Sequence, residues 1–129
     1  MCLMLVVDDD ELVRVSVAAI LATMGHDIIF ARDGLDAVAI YKIKHHEINL
    51  VLMDIIMPKM DGIAATRAIK NAHPTAKVIL MSGYTDHISP IEADAFLPKP
   101  FRSKTLCHMV EQILMPDLYS SLMLLQYIQ

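Results

Sequence analysis

Leu50-Val51-Leu52-Met53-Asp54 sets four consecutive apolar residues directly ahead of an acid. Side chains on a strand point alternately to opposite faces, so a strand with one wet face alternates polar and apolar residues. An unbroken apolar run instead describes a strand buried on both faces. The chain repeats this form. Leu3-Met4-Leu5-Val6-Val7 runs into Asp8-Asp9-Asp10, and Ile28 to Ala31 is a further apolar run. Val78-Ile79-Leu80-Met81 runs into Ser82-Gly83, and Ala95-Phe96-Leu97 into Pro98-Lys99-Pro100.

Between these runs the period changes. From Glu11 to Met24, the residues Val13, Val17, Ile20, Leu21 and Met24 fall on one helical face, and Gly25 follows as a helix-ending glycine. Asp33-Gly34 opens a second helical stretch through Ala37, Val38, Ile40 and Tyr41. Pro58 and Gly62 bracket a loop, a third helix runs from about Ile63 to Lys70, and Pro74 prevents its continuation. Ser103 is placed to cap a last helix carrying Leu106, Val110, Ile113 and Leu114. Buried strands alternating with crossover helices mean an α/β domain with a parallel sheet covered on both sides, and right-handed crossovers leave few topologies.

Composition narrows the function. A chain of 129 residues builds one hydrophobic core. Its net charge is -4 and its 11 basic residues are scattered, which argues against a nucleic-acid surface, where clustered cations must neutralise phosphates. No apolar run is long enough to cross a bilayer, and Met1 to Val7 lacks the basic start of a signal peptide. Cys2 and Cys107 have no framework spacing, so both are expected reduced, in a cytoplasmic protein.

In an open α/β sheet the site forms beyond the carboxyl ends of the strands. The residues there are Asp8, Asp9 and Asp10 after the first strand, Asp54 after the third, Ser82 after the fourth and Lys99 after the fifth. Carboxylates converging on one pocket raise each other's pKa unless a cation sits among them. A hard cation such as Mg²⁺ suits carboxylates, a carbonyl, waters and a phosphate oxygen. A hydroxyl and an ammonium suit the remaining oxygens of a phosphoryl group. Asp10 reads as a first-turn helix acid rather than a ligand. His45-His46 reads as a solvated loop, because adjacent histidines do not easily face one ion, and the methionines read as core filling.

The segments Leu5-Val6-Val7-Asp8-Asp9-Asp10-Glu11, Ala31-Arg32-Asp33-Gly34, Leu52 to Gly62, Met81-Ser82-Gly83-Tyr84 and Phe96-Leu97-Pro98-Lys99-Pro100-Phe101 together resemble the response-regulator receiver family of two-component signalling, in family order. Its simplest members are single-domain chemotaxis regulators. The resemblance implies a flavodoxin-like, doubly wound five-stranded parallel sheet of order 2-1-3-4-5. It also implies a receiver over residues 1–115, with 116–129 left as an apolar C-terminal tail able to form an extra helix. By matching position, Asp54 resembles the phosphoacceptor. Asp9 resembles the direct ligand of Mg²⁺ and Asp8 its water-mediated neighbour, and Ile56 would offer a backbone carbonyl. Ser82 resembles the hydroxyl that binds the phosphoryl group, Lys99 the lysine that pairs with it, and Phe96 the switch aromatic; the bond before Pro100 is often cis in the family.

The implied function is that of a stand-alone phosphorelay switch. It takes its phosphoryl group from a histidine kinase or histidine phosphotransfer protein, acts on a downstream protein the sequence does not name, and binds neither nucleic acid nor membrane. It is not an enzyme on outside substrates: phosphatases that use an aspartate nucleophile usually carry a second acid two residues on, where Ile56 stands. A degenerate receiver is opposed by the intact acids, Ser82 and Lys99.

The sequence departs from the family in two places. The segment from Ser82 to Phe96 is about five residues short and holds Pro90, so the fourth helix is expected shortened or missing and the segment locally weak. Ile56 has no polar atom to orient water and Tyr84 is placed to shield the site, so a phosphoryl group on Asp54 is expected to be lost slowly. In the tail, Leu118, Leu122 and Leu125 have helical spacing, widened by Leu124 and Ile128. That surface is expected to be buried on its own domain, over the area the short fourth helix leaves bare, or on a second copy in a two-fold dimer.

Overall fold

A computed structural model describes residues 2–83 and 92–128, with the helical residues 119, 120, 127 and 128 described in backbone only. The strands are β1 (Leu3–Val7), β2 (Asp27–Ala31), β3 (Ile48–Asp54), β4 (Val78–Ser82) and β5 (Ala95–Pro98). The helices are α1 (Glu11–Thr23), α2 (Gly34–Lys44), α3 (Gly62–Ala72), α4 (Ser103–Leu114) and α5 (Pro116–Ile128). The strands form one sheet in the order β2-β1-β3-β4-β5, and every pairing is parallel, as the order implied by the resemblance requires.

The apolar runs divide by alternation. Leu5, Val7, Val51, Met53, Val78 and Leu80 face one layer with Ala37 and Tyr41 of α2 and Ala65 and Ile69 of α3. Met4, Val6, Leu50, Leu52, Ile79 and Met81 face the other, with Val17 and Leu21 of α1 and Leu106 and Val110 of α4. Burial on both faces is thus the physical reason for runs without polar interruption. The outermost strand β2 alone exposes a large apolar residue, Phe30, at 43%.

Boundaries moved where an element leaves the core. β3 starts at Ile48, before the apolar run, and its exposed Asn49 accepts the Leu3 N–H at 2.9 Å through Oδ1. Gly25 takes φ 84 just after α1, a conformation that costs glycine little. Asp10 sits outside α1 as its cap, accepting the Leu12 N–H at 2.9 Å. Ser103 is not a cap but the first residue of α4. Arg102 holds the extended cap conformation without a side-chain bond, and its carbonyl takes the Leu106 N–H at 3.1 Å.

The shortened or missing fourth helix falls on residues 84–91, outside those described. The tail does form the extra helix. α4 stops at Met115 and Pro116 opens α5, a first-turn position where its missing N–H is no loss. α5 packs chiefly on α4, and Leu118, Leu122 and Leu125 remain 52%, 47% and 57% exposed; the area beside residues 84–91 lies outside those described.

The loop from Ile55 to Asp61 is tied back onto the sheet. The Gly62 N–H donates to the Ile55 carbonyl at 2.8 Å, the Gly34 N–H donates to the Met60 carbonyl at 3.1 Å, and the Met60 N–H reaches the Pro58 carbonyl at 2.8 Å. Lys59, in the middle of that last turn, sits at φ 68, a strained value for a residue with a side chain. A Cβ on Gly62 would strike the backbone of Asp54 and Ile55. Gly62→Ala should therefore lower stability in urea by about 1–3 kcal/mol, as overpacking against unyielding atoms does. An unfolding midpoint equal to the parent's would show that the loop has room to shift.

Candidate functional site

Four of the five strands, all but β2, deliver a polar group where they leave the core. Asp8 follows β1 and is 1% exposed. Its backbone N–H is held by the Ala31 carbonyl at 3.2 Å, and its Oδ1 accepts the Asp10 N–H at 2.9 Å. Asp54 ends β3, with its side chain 13% exposed and its Oδ1 accepting the Ile55 N–H at 3.0 Å. Lys99 follows β5 and donates from Nζ to Asp8 Oδ2 at 3.0 Å, with Asp54 Oδ1 at 3.5 Å. Asp9 is exposed beside them. One oxygen each from Asp8, Asp9 and Asp54 lies within 4.8 Å of the others, the sole metal-capable group of this kind among the described residues.

The electrostatics are under-compensated. Burial raises the Asp54 carboxyl above the ordinary aspartate value and the Asp8 charge adds to this; Lys99 pulls the other way without cancelling it. For Lys99 burial disfavours the charge, but the hydrogen bond to Asp8 and the charges of Asp54 and Asp8 outweigh it and hold the ammonium above the usual lysine value. Three acids face one ammonium, so hard oxygen donors remain that could hold a cation.

Ser82 ends β4, is 2% exposed, and its carbonyl accepts the Lys99 N–H at 2.8 Å. The Lys99–Pro100 bond is cis. Phe96 sits half-buried on β5 beside Leu80, against the α2–α3 layer. Ile56 stands on the loop after Asp54 with its side chain 56% exposed. The structure therefore gathers Asp8, Asp9, Asp54 and Lys99, sets Ser82 on the adjoining strand end, and leaves Ile56 and Phe96 to either side. Arg14 was not singled out in the sequence. Its guanidinium donates to the Asp8 carbonyl at 2.7 Å and so helps fix the acidic turn; an arginine on an amphipathic helix carries no signal of such a role.

A five-stranded parallel sheet with this constellation at its carboxyl edge defines a receiver. The chain matches the response regulator receiver domain family over residues 4–111 and belongs to it. It is 34% identical over 115 residues to the chemotaxis protein CheY of Bacillus subtilis, covering 85% of this chain and 95% of that one. To the sensor kinase CckA of Brucella abortus it is 35% identical over 115 residues, covering 85% of this chain but spanning only 12% of that protein. Among solved structures it resembles the CheX-CheY-BeF3-Mg+2 complex from Borrelia burgdorferi with a TM-score of 0.83 and 30% identity, covering 87% of this chain and 88% of that one. The chain is thus a CheY-like receiver domain of two-component signalling. No helix among the described residues is long and apolar enough to cross a membrane.

The direction of the Asp54 shift fixes its effect on stability. A carboxyl with a raised folded pKa favours the folded state at acid pH, and that contribution is lost as pH rises through the folded value, because the unfolded chain gives up its proton first. With chelator present, Asp54→Asn should be more resistant to urea than the parent at neutral pH, and the advantage should shrink towards acid. A pH-independent difference between the two would contradict the strained carboxylate.

Proposed function

We propose that this chain is a phosphorylation-dependent switch whose Asp54 carboxylate accepts a phosphoryl group from the phosphohistidine of a histidine kinase or histidine phosphotransfer protein. The observation that carries the reading is the placement of Asp54 beside Asp8, Asp9 and the Lys99 ammonium at the sheet edge. Asp54 Oδ attacks phosphorus in line as the N–P bond breaks, and the electron pair returns to the imidazole nitrogen, which takes up a proton. Lys99, and Ser82 through its hydroxyl, stabilise the transferring oxygens. Asp8, Asp9, Asp54 and the carbonyl of Ile56 would hold Mg²⁺, which when bound supplies the positive charge that offsets repulsion between carboxylate and phosphate.

Phosphorylation then biases two surface conformations. Ser82 drawn towards the phosphoryl group leaves room for Phe96, half-buried two strand positions before Pro98, to turn inward. The chain acts through protein contact and slow loss of its own phosphoryl group, not by turning over outside substrates. The two free cysteines are in keeping with a cytoplasmic setting. A groove of about 560 Å³, lined by Leu12, Val13, Val17, Ile20, Pro100 and Phe101, with Lys99 also on its wall, suits an apolar helix of the phosphodonor.

Incubation with acetyl phosphate and Mg²⁺ should add one phosphoryl group by mass to the parent and none to Asp54→Asn. Ile56→Asn should shorten the phosphoryl lifetime severalfold or more, since positioned help to an attacking water is worth about 10²–10⁴-fold. Labelling of Asp54→Asn to the parent's level would refute the acceptor assignment, and an unchanged lifetime in Ile56→Asn the account of slow loss.

The division of the chain into a receiver over 1–115 and an added helical segment over 116–129 belongs to the same reading. Leu118, Leu122 and Leu125 follow a four-three spacing on one face of α5 and are each about half exposed, the spacing of a seam between two helices. Asp117 is the one charged residue from 116 to 129, so like-with-like pairing meets little repulsion, and a second copy is the partner we assign. Truncation after Met115 should convert a dimer into a monomer by sedimentation. A full chain that sediments as a monomer at all accessible concentrations would overturn the pairing.

A further inference from the structure

Arg14 stands among acids and pairs with none of them. Asp8, Asp9, Asp10 and Glu11 precede it in the chain. Its guanidinium makes no ion pair among the described residues and donates instead to a backbone oxygen, the Asp8 carbonyl, at 2.7 Å. That length is typical of a charge-assisted hydrogen bond. Local structure brings the two groups together. Side chains on a helix tilt towards its N-terminus, so a residue one turn into α1 lies over the turn before it. The helix itself does not call for a cation there, because the positive end of its dipole is close by.

Asp8 is thereby held at both of its main-chain groups, the N–H on the Ala31 carbonyl at 3.2 Å and the carbonyl on Arg14 at 2.7 Å. Its carboxylate is held as well, Oδ1 by the Asp10 N–H at 2.9 Å and Oδ2 by Lys99 Nζ at 3.0 Å. Asp9 differs. Among the described residues no hydrogen bond or ion pair holds its carboxylate, although one of its oxygens lies within 4.8 Å of one each from Asp8 and Asp54. The direction of that carboxylate is left to its backbone. The Asp8–Asp9 peptide is planar, so fixing the Asp8 carbonyl fixes where the Asp9 Cα lies and how its side chain leaves the chain.

We propose that Arg14 is a positioning residue for the cation of the acidic site, acting through the Asp8 carbonyl to hold the Asp9 carboxylate in place. The role rests on the reading of Asp8, Asp9 and Asp54 as cation ligands. Charge and position pull in opposite directions. A guanidinium repels a bound cation, so by charge alone the loss of Arg14 tightens the site. By position the loss loosens it, since partners that orient a ligand are worth about 10–100-fold in metal affinity. The sign of the change therefore separates the two.

The test is a Mg²⁺ titration of the full chain followed by amide chemical shifts. The parent should show one saturable site and Asp9→Asn a much weaker one. Arg14→Met keeps the unbranched stem and loses donor and charge. It should bind Mg²⁺ about tenfold more weakly while its urea unfolding stays cooperative. Arg14→Lys retains a donor within range of the carbonyl and should recover most of the loss. Should Arg14→Met not fold, Arg14→Gln, neutral and shorter, takes its place. With Asp9→Asn weakened, parent-like or tighter binding in Arg14→Met, or no recovery in Arg14→Lys, would overturn the positioning role and leave the acidic site standing. Shifts indifferent to Mg²⁺, or equal in the parent and Asp9→Asn, would overturn the cation site and the role of Arg14 with it.

Discussion

The contact between Lys99 and Asp8 joins residues 91 positions apart and closes the sheet's working edge. Asp8 is almost wholly enclosed and Asp54 nearly so, and enclosed carboxylates are costly unless a partner stands close. One ammonium serves both, nearer to Asp8 than to Asp54. Burial, with the Asp8 charge beside it, keeps the Asp54 carboxyl above its ordinary value despite the lysine, while the two carboxylates hold the lysine's proton in place against its own burial. Under the proposed function, a cation bound here offsets the carboxylate charge, so that the negative oxygens of a phosphoryl group can be brought to Asp54.

That edge exists because the strands behind it run apolar right up to it. β1, β3 and β4 sit between two helical layers, and over Met4–Val7, Leu50–Met53 and Val78–Met81 their residues alternate between the two cores. A polar side chain has no place along these runs, so the chemistry collects where each run ends. The order β2-β1-β3-β4-β5 then makes neighbours of the ends that matter, Asp8 with Asp54 across β1 and β3, and Ser82 with Lys99 across β4 and β5. The N–H of Lys99 on the Ser82 carbonyl links the backbones of the two. Under the proposed function, a shift of Ser82 is felt at the turn that carries Lys99 and along the strand that carries Phe96. The loop after Asp54, pinned through Gly62 and strained at Lys59, keeps the other wall of the site in place.

Two further features of the chain lie away from this edge. α5 extends the chain beyond the segment matched to the family and carries its apolar residues into solvent. His45, His46 and His73 gather where α2 and α3 end, on the side remote from the acids. Neither alters the site's own geometry, so each can be removed without dismantling the acidic cluster.

By itself the sequence determined the alternation of strands and helices, the parallel sheet, and the identity of the acids, the hydroxyl and the lysine at the strand ends. These were legible because they are local: an unbroken apolar run means burial on both faces, and a polar residue just beyond it must lie at an edge. The stop of α1 at Gly25 was legible for the same reason. The cap of α4 was not, because Arg102 caps through backbone conformation alone, which no side chain announces. Nor was the part played by Arg14, the uneven sharing of Lys99 between Asp8 and Asp54, or the joining of His73 to His45 and His46. Each of these depends on distances between segments far apart in the chain, and such distances are set only when the layers pack against one another.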